Sequence, residues 1–212
     1  ANASATLPSG SGKFVVGQNA TLQLTAAHAD GLTADSDGSV NITALHSKSD
    51  ADLSLITTNG ATITLSSPTT LTDAAKLPNP ANESAVVVTG NNTLTLGGTN
   101  NIQDNTNGLS IVSGSTLTST AAIITGETVS GTGTVEVTAL ESTLGANLSG
   151  ITATTVTAAL NSTGDKELTS SANLGDFVVT ISGTGTVTAH ASATLPIGDG
   201  KFVVGPNATL QL

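Results

Sequence analysis

Residues 3–24, ASATLPSGSGKFVVGQNATLQL, return almost unchanged as residues 191–212, ASATLPIGDGKFVVGPNATLQL, a separation of 188 positions (from 3 to 191). The two copies differ only at Ser9/Ile197, Ser11/Asp199 and Gln18/Pro206. A chain that completes a long pattern and starts it again is built by repetition, and repeats of this kind are stabilised by contacts between neighbouring units. A weaker recurrence lies within the long one. Gly38–Thr57 aligns without a gap to Gly133–Thr152, pairing Val40/Val135, Ile42/Val137, Ala44/Ala139, Leu45/Leu140, Ala51/Ala146, Leu53/Leu148 and Ile56/Ile151. The polar positions between them vary, as at Asn41/Glu136, His46/Glu141 and Asp52/Asn147. What is repeated is the apolar set, which is a constraint of folding. The expected organisation is a first unit over 1–97, a second over 98–190 and the start of a third over 191–212, either as separate modules or as one continuous solenoid.

Local patterning is that of short strands. Ala20–Leu24, Ser39–Thr43, Thr62–Leu65, Thr93–Leu96, Thr134–Val137 and Thr186–Thr188 alternate aliphatic and polar residues and are flanked by Gly, Asn and Asp. Period-two alternation turns the aliphatics to one face, and Thr, Val and Ile suit a pleated surface. The Ala/Thr-rich stretch 152–160 is the one segment whose pattern leaves helix and strand open. The segments 66–84 and 97–108, rich in Pro or Asn, read as the largest loops. Strand centres recur every 18 to 31 residues or so, a spacing that suits a coil of one to three strands. Such a coil buries too few side chains to offset its own backbone entropy, and so requires neighbours. The expected fold is all-β, a right-handed parallel β-helix of tandem repeats. The alternative is two tandem immunoglobulin-like β-sandwiches, a fold that usually centres on Trp and Tyr. This chain has neither, and only 3 Phe.

Composition narrows the function classes. The five basic residues are all lysines, and the formal net charge is −10. Without basic clusters or aromatic stacking platforms, nucleic-acid binding is not expected. No stretch approaches the length of a membrane-inserting segment. There is no Cys, which removes thiol chemistry and disulfide scaffolding. Carboxylates are scattered and Arg is absent, so the clustered acid–base groups of a carbohydrate-cleaving β-helix are not visible. His46 and His190 align internally with Glu141 and Asn2, and His28 with Ile123, so none is expected to be catalytic. No cofactor is expected.

Three patterns are candidates for binding or modification. Asp35 and Asp37, in the sequence Asp35-Ser36-Asp37-Gly38, place alternate carboxylates in a turn, and calcium is the cation such a pair would take. Asn-x-Ser/Thr occurs at Asn2, Asn19, Asn41, Asn82, Asn91, Asn147, Asn161 and Asn207, which would be N-glycan acceptors in a host that modifies secreted proteins. Thr62/Thr64, Thr93/Thr95, Thr116/Thr118, Thr155/Thr157 and Thr186/Thr188 form Thr-x-Thr pairs of the sort that ice-binding β-solenoids array on one face.

The phrases Ser130-Gly131-Thr132-Gly133-Thr134-Val135 and Ser182-Gly183-Thr184-Gly185-Thr186-Val187 resemble the strand repeats of giant bacterial surface proteins, adhesins and autotransporter passenger domains. Leu24-Thr25-Ala26-Ala27 and the segment 148–158 are similar to the same proteins. The resemblance implies a secreted, elongated β-helix at the cell surface or in an extracellular matrix, with a structural or adhesive role. The partners expected are further copies joined end to end, or the next repeats of a longer array. Ice binding and a carbohydrate-binding adhesin module are the alternative functions.

Overall fold

The computed structural model describes residues 13–35, 37–81, 84–102, 107–196 and 200–212. The chain is a parallel β-solenoid of about nine turns. It divides into two compact units, Ala1–Thr116 and Leu117–Leu212. The first carries β1 (Lys13–Val15), β2 (Thr21–Thr25), β3 (Thr33–Asp35), β4 (Ser39–Thr43), β5 (Gly60–Thr64), β6 (Thr69–Thr70), β7 (Val86–Thr89), β8 (Thr93–Thr95) and β9 (Leu109–Ile111). The second carries β10 (Thr116–Thr120) from its second residue on, β11 (Val129–Gly131), β12 (Thr134–Thr138), β13 (Thr155–Ser162), β14 (Lys166–Leu168), β15 (Val178–Gly183), β16 (Thr186–Ala189), β17 (Lys201–Val204) and β18 (Thr209–Gln211). Strands β2, β4, β5, β7 and β9 stand side by side in the first unit, as do β10, β12, β13, β15 and β17 in the second. Among the described residues every strand pair of defined register is parallel. A β-sandwich would need antiparallel hairpins, so the immunoglobulin-like alternative does not hold.

Register stacks like upon like. In the first unit Leu24, Ile42, Ile63, Val88 and Ile111 fall on one column, and none is more than 1% exposed. Leu22, Val40, Ala61, Val86 and Leu109 form the column beside it. In the second unit Val137, Ala158, Val179 and Phe202 align, as do Leu160, Ile181 and Val204. Full burial of one such aliphatic side chain is worth about 1.5–3 kcal/mol. The alternation read from the sequence thus becomes a continuous apolar lining within each unit, because parallel pairing repeats the same inward positions from coil to coil.

The internal recurrence is reproduced down to its corners. Short helical turns, α1 (Ala26–Ala29) and α2 (Ala121–Ile124), follow β2 and β10. Ala44 and Ala139 adopt left-handed backbone with φ of 52° and 54°, and each opens a 3₁₀ turn, Leu45–Ser47 or Leu140–Ser142. The Gly31 amide donates to the Asp52 carbonyl at 2.8 Å, and the Gly126 amide donates to the Asn147 carbonyl at 2.7 Å. Parallel bridges Ala34–Ile56 and Val129–Ile151 close the same corner in each unit. Left-handed backbone disfavours a Cβ by roughly 1–2 kcal/mol, and the buried Leu that follows each alanine shows what holds the turn in place.

The structure resolves one open segment and corrects one expectation. The segment 152–160 belongs mainly to a strand: β13 alternates exposed and buried residues over Thr155–Ser162. The Pro-rich segment 66–84 is not a free loop over its described residues. Its amides at Leu71, Thr72, Lys76, Leu77, Asn79 and Ala81 donate to carbonyls of neighbouring coils, and Leu71, Ala75 and Leu77 are buried. Asn101, 1% exposed, braces this wall. Its amide group donates to the Thr72 and Ala75 carbonyls at 2.7 and 2.8 Å, and its side-chain oxygen accepts from the Gly97 and Gly98 amides at 2.8 and 3.1 Å.

If the columns carry the stability, Ile63→Ala should cost about 2–5 kcal/mol, whereas Thr62→Ala, one residue away on the outward face, should change it by less than about 0.5 kcal/mol. Denaturant titration of both variants checks the contrast. Equal losses would contradict it.

Candidate functional site

The described titratable groups are dispersed along the coils. The densest group lies at the corner after α1, where the Lys48 Nζ stands 3.2 Å from Asp30 and 2.8 Å from Asp50. Asp30 also accepts from the Asp52 amide at 2.8 Å. The hydrogen bond from Lys48 holds the Asp50 carboxyl below its ordinary range, and the bonds to Asp50 and Asp30 raise the lysine. At Asp52 partial burial pushes the carboxyl upward, but the Ser54 hydroxyl and amide, aided by Lys76, outweigh it and leave the group lowered. Ser54 donates from its hydroxyl at 2.6 Å and from its amide at 3.1 Å. In the second unit Asn147 holds Ser149 in the same way, at 2.8 and 3.2 Å, without any carboxylate. The shared element is therefore an Asx turn that shapes the corner, with the charge incidental to it.

The histidines stand apart from one another. His28 Nδ1 lies 2.8 Å from the Thr25 hydroxyl that caps α1. His46 Nδ1 is 3.4 Å from Ser66 Oγ, and His190 Nδ1 accepts from the Ser192 amide at 3.1 Å. Among the described residues no three His, Asp or Glu side chains gather as metal ligands would. Asp35 is exposed at the end of β3 and pairs with Lys13 at 3.3 Å. Asp37 is also exposed, and its carbonyl accepts from the Asn59 side chain at 3.4 Å. Ser36 between them lies outside the described residues.

The glycan-acceptor candidates fall in contrasting settings. Asn19 and Asn91 sit exposed at turns with φ of 64° and 56°. Asn147, Asn161 and Asn207 are exposed, Asn161 within β13 and Asn147 occupied by Ser149. Asn41 is half-buried in β4, and its side-chain oxygen accepts from the Thr64 hydroxyl at 3.0 Å. Asn2 and Asn82 lie outside the described residues. Of the Thr-x-Thr pairs, Thr62/Thr64 in β5 is flanked along its ladder by Asn41 and Val87 at one position and by Thr43 and Thr89 at the other. Thr157 in β13 stands between Glu136 and Val178. Thr118 donates to Glu136 at 3.2 Å. Shallow hollows of about 220–240 Å³ line the coils, one of them bounded by Phe14, Val15, Val16, Gly17, Ala20, Thr21 and Leu22.

The duplicated segment occurs in two settings. Val203 and Val204 of β17 are 43% and 42% exposed, and Leu212 is 78% exposed. Their counterparts in the first coil are Val15, Val16 and Leu24. Val16 is 6% and Leu24 1% exposed, because the following coil covers them. Val16/Val204 and Leu24/Leu212 are thus buried in one setting and open in the other, whereas Val15, 71% exposed, is no more covered than Val203. This contrast was not legible as a site from residue types, since it depends on which side of each coil is paired. Comparison with family models, with curated proteins and with solved structures returns no match.

One titration is open to test. Burial raises the Glu127 carboxyl above its ordinary value. The cost of charging it in the fold is therefore present at neutral pH and disappears once pH falls below the unfolded value near ~4.3. Glu127→Gln should raise the melting temperature at pH 7 and lose that advantage by about pH 4. Thermal unfolding across this range checks it, and a pH-independent difference would contradict the burial cause.

Proposed function

We propose that the chain is a non-enzymatic structural repeat protein of a cell surface or extracellular matrix, and that it works by joining coil to coil with further copies of itself. The observation that carries this reading is the in-register parallel stacking, in which like apolar residues cover one another from coil to coil and each coil is stabilised by its neighbours. An open parallel ladder is a template for another ladder. The aliphatic lining supplies cohesion, and the Thr, Ser and Asn exterior with a net charge of −10 keeps lateral faces solvated and mutually repelling. Growth is thereby confined to coil ends, the condition for a fibre or coat. Exposed glycan acceptors at Asn19, Asn91, Asn147, Asn161 and Asn207 are consistent with an extracellular setting.

Continuation of the same coils in one long polypeptide is the variant of this reading in which the neighbour is covalently attached. Denaturing electrophoresis of the native material separates the two: a short subunit supports assembly, and one very long chain supports the array. For the 212-residue chain, sedimentation over a hundredfold range of concentration should show mass increasing without a fixed end point. A monomer throughout would contradict the assembly.

A further inference from the structure

We propose that the fold withholds from proteases the residues they read: the lysines and phenylalanines of this chain have their backbone tied into the coils, so trypsin-like and chymotrypsin-like enzymes cut only after coils open. The inference goes beyond the structural role proposed above and does not depend on self-association. A protease that reads basic residues does so through an acid in its specificity pocket, and one that reads aromatics does so through an apolar slot. Either must also take hold of a free stretch of backbone, which is why folded proteins are nicked at exposed loop tips. Resistance therefore depends on where those residue types stand.

The chain offers few such residues. Its basic residues are Lys13, Lys48, Lys76, Lys166 and Lys201, its aromatic ones are Phe14, Phe177 and Phe202, and Arg, Tyr and Trp are absent. All of them fall among the described residues. Lys13 and Phe14 lie in β1, in register with Thr33 and Ala34. Lys166 in β14 pairs with Val187, and Lys201 and Phe202 in β17 pair with Val178 and Val179. The Phe177 carbonyl accepts from the Lys201 amide at 3.3 Å, and its side chain is buried. Lys76 lies outside the strands, yet its amide donates to the Ala51 carbonyl at 3.0 Å and its carbonyl accepts from the Leu53 amide at 2.9 Å. Lys48 stands at a corner. Its amide donates to the Leu45 carbonyl at 3.0 Å, and its carbonyl accepts from the Ala51 amide at 3.3 Å. Its Nζ is held by Asp30 at 3.2 Å and Asp50 at 2.8 Å, so a specificity pocket takes this side chain only by breaking both ion pairs.

The turns between strands carry other residue types. Gly17-Gln18-Asn19, Gly90-Asn91-Asn92, Ser113-Gly114-Ser115 and Thr163-Gly164-Asp165 hold no basic or aromatic side chain. Turn chemistry favours Gly, Asn, Ser and Asp, but it does not bar lysine from exposed positions such as Gln18 and Thr163. The separation of readable residues from free backbone has a kinetic consequence. Cleavage follows the population of opened coils and not the accessibility of the closed surface. A structural chain that must persist among extracellular proteases is served by that separation, since its mobile-looking corners present nothing these enzymes recognise.

Digestion of the full chain at low concentration, read by intact mass and peptide mapping, tests the proposal. Trypsin should cut after Lys48, Lys76 and Lys166 at least about a hundredfold more slowly in the folded chain than in the unfolded one, and chymotrypsin should spare the bond after Phe177 to the same extent. Lys13 and Lys201 lie in strands paired on one side only, so the cleavage that does occur should begin there. Two variants separate backbone pairing from residue type. Thr163→Lys adds a lysine to the exposed turn between β13 and β14. Thr157→Lys adds one to an exposed position within β13, which is paired on both sides through Glu136 and Val178. With native circular dichroism in both, the first should be cut at the new site at least about tenfold faster than the second. Cleavage of the folded chain after Lys48, Lys76 and Lys166 at the unfolded rate would overturn the proposal, as would equal cleavage of the two variants. Neither result bears on self-association, which sedimentation tests separately.

Discussion

The in-register parallel ladder is the interaction on which everything else depends. Each coil contributes two or three inward aliphatic side chains to a strand and cannot close a core with them. Parallel pairing solves this by placing the same inward positions one above another, so that Leu24, Ile42, Ile63, Val88 and Ile111 act as one lining. A slip of one residue anywhere would turn Thr and Asn inward along a whole strand. The apolar alternation is therefore both the source of cohesion and the device that fixes register.

The same constraint explains which residues recur and which drift. Inward positions must stay apolar, although their size varies from Ala to Leu and Phe along a column, and they are the positions shared between 38–57 and 133–152. Corners must turn at the same point, and Ala44 and Ala139 share a left-handed backbone that most residues avoid. At the next corner Asp52 and Asn147 differ in charge but present the same Asx acceptor to a Ser two residues on. Chemistry is exchangeable there because geometry is what the fold uses.

Strands were legible in the sequence wherever alternation was clean: β4 spans Ser39–Thr43 as its pattern indicates, and β12 lies over Thr134–Val137 with one residue more. The wall from Ser66 to Ala81 was not legible, because its backbone bonds to neighbouring coils instead of forming a long strand, and Pro and Asn there resemble a loop. Asn101 was invisible for a related reason: its four hydrogen bonds go to backbone groups, two of them 26 and 29 residues away in sequence. The duplicated end segment was evident at once, but only the structure distinguishes its two settings. Val16 and Val204 are the same residue in the same local sequence, and what separates them is whether a coil lies on top.

Because stability here is borrowed from neighbours, protection should follow position in the stack within each unit. Hydrogen exchange of the backbone amides tests this most directly. The amides of β4, β5 and β7 should exchange slowest and as a group, and those of β1, β2, β17 and β18, each paired on one side only, should exchange fastest among the described strands at low protein concentration. Protection of these edge strands equal to that of β4 and β5 in the monomer would contradict the account, since it would mean that a coil is held as firmly by one neighbour as by two.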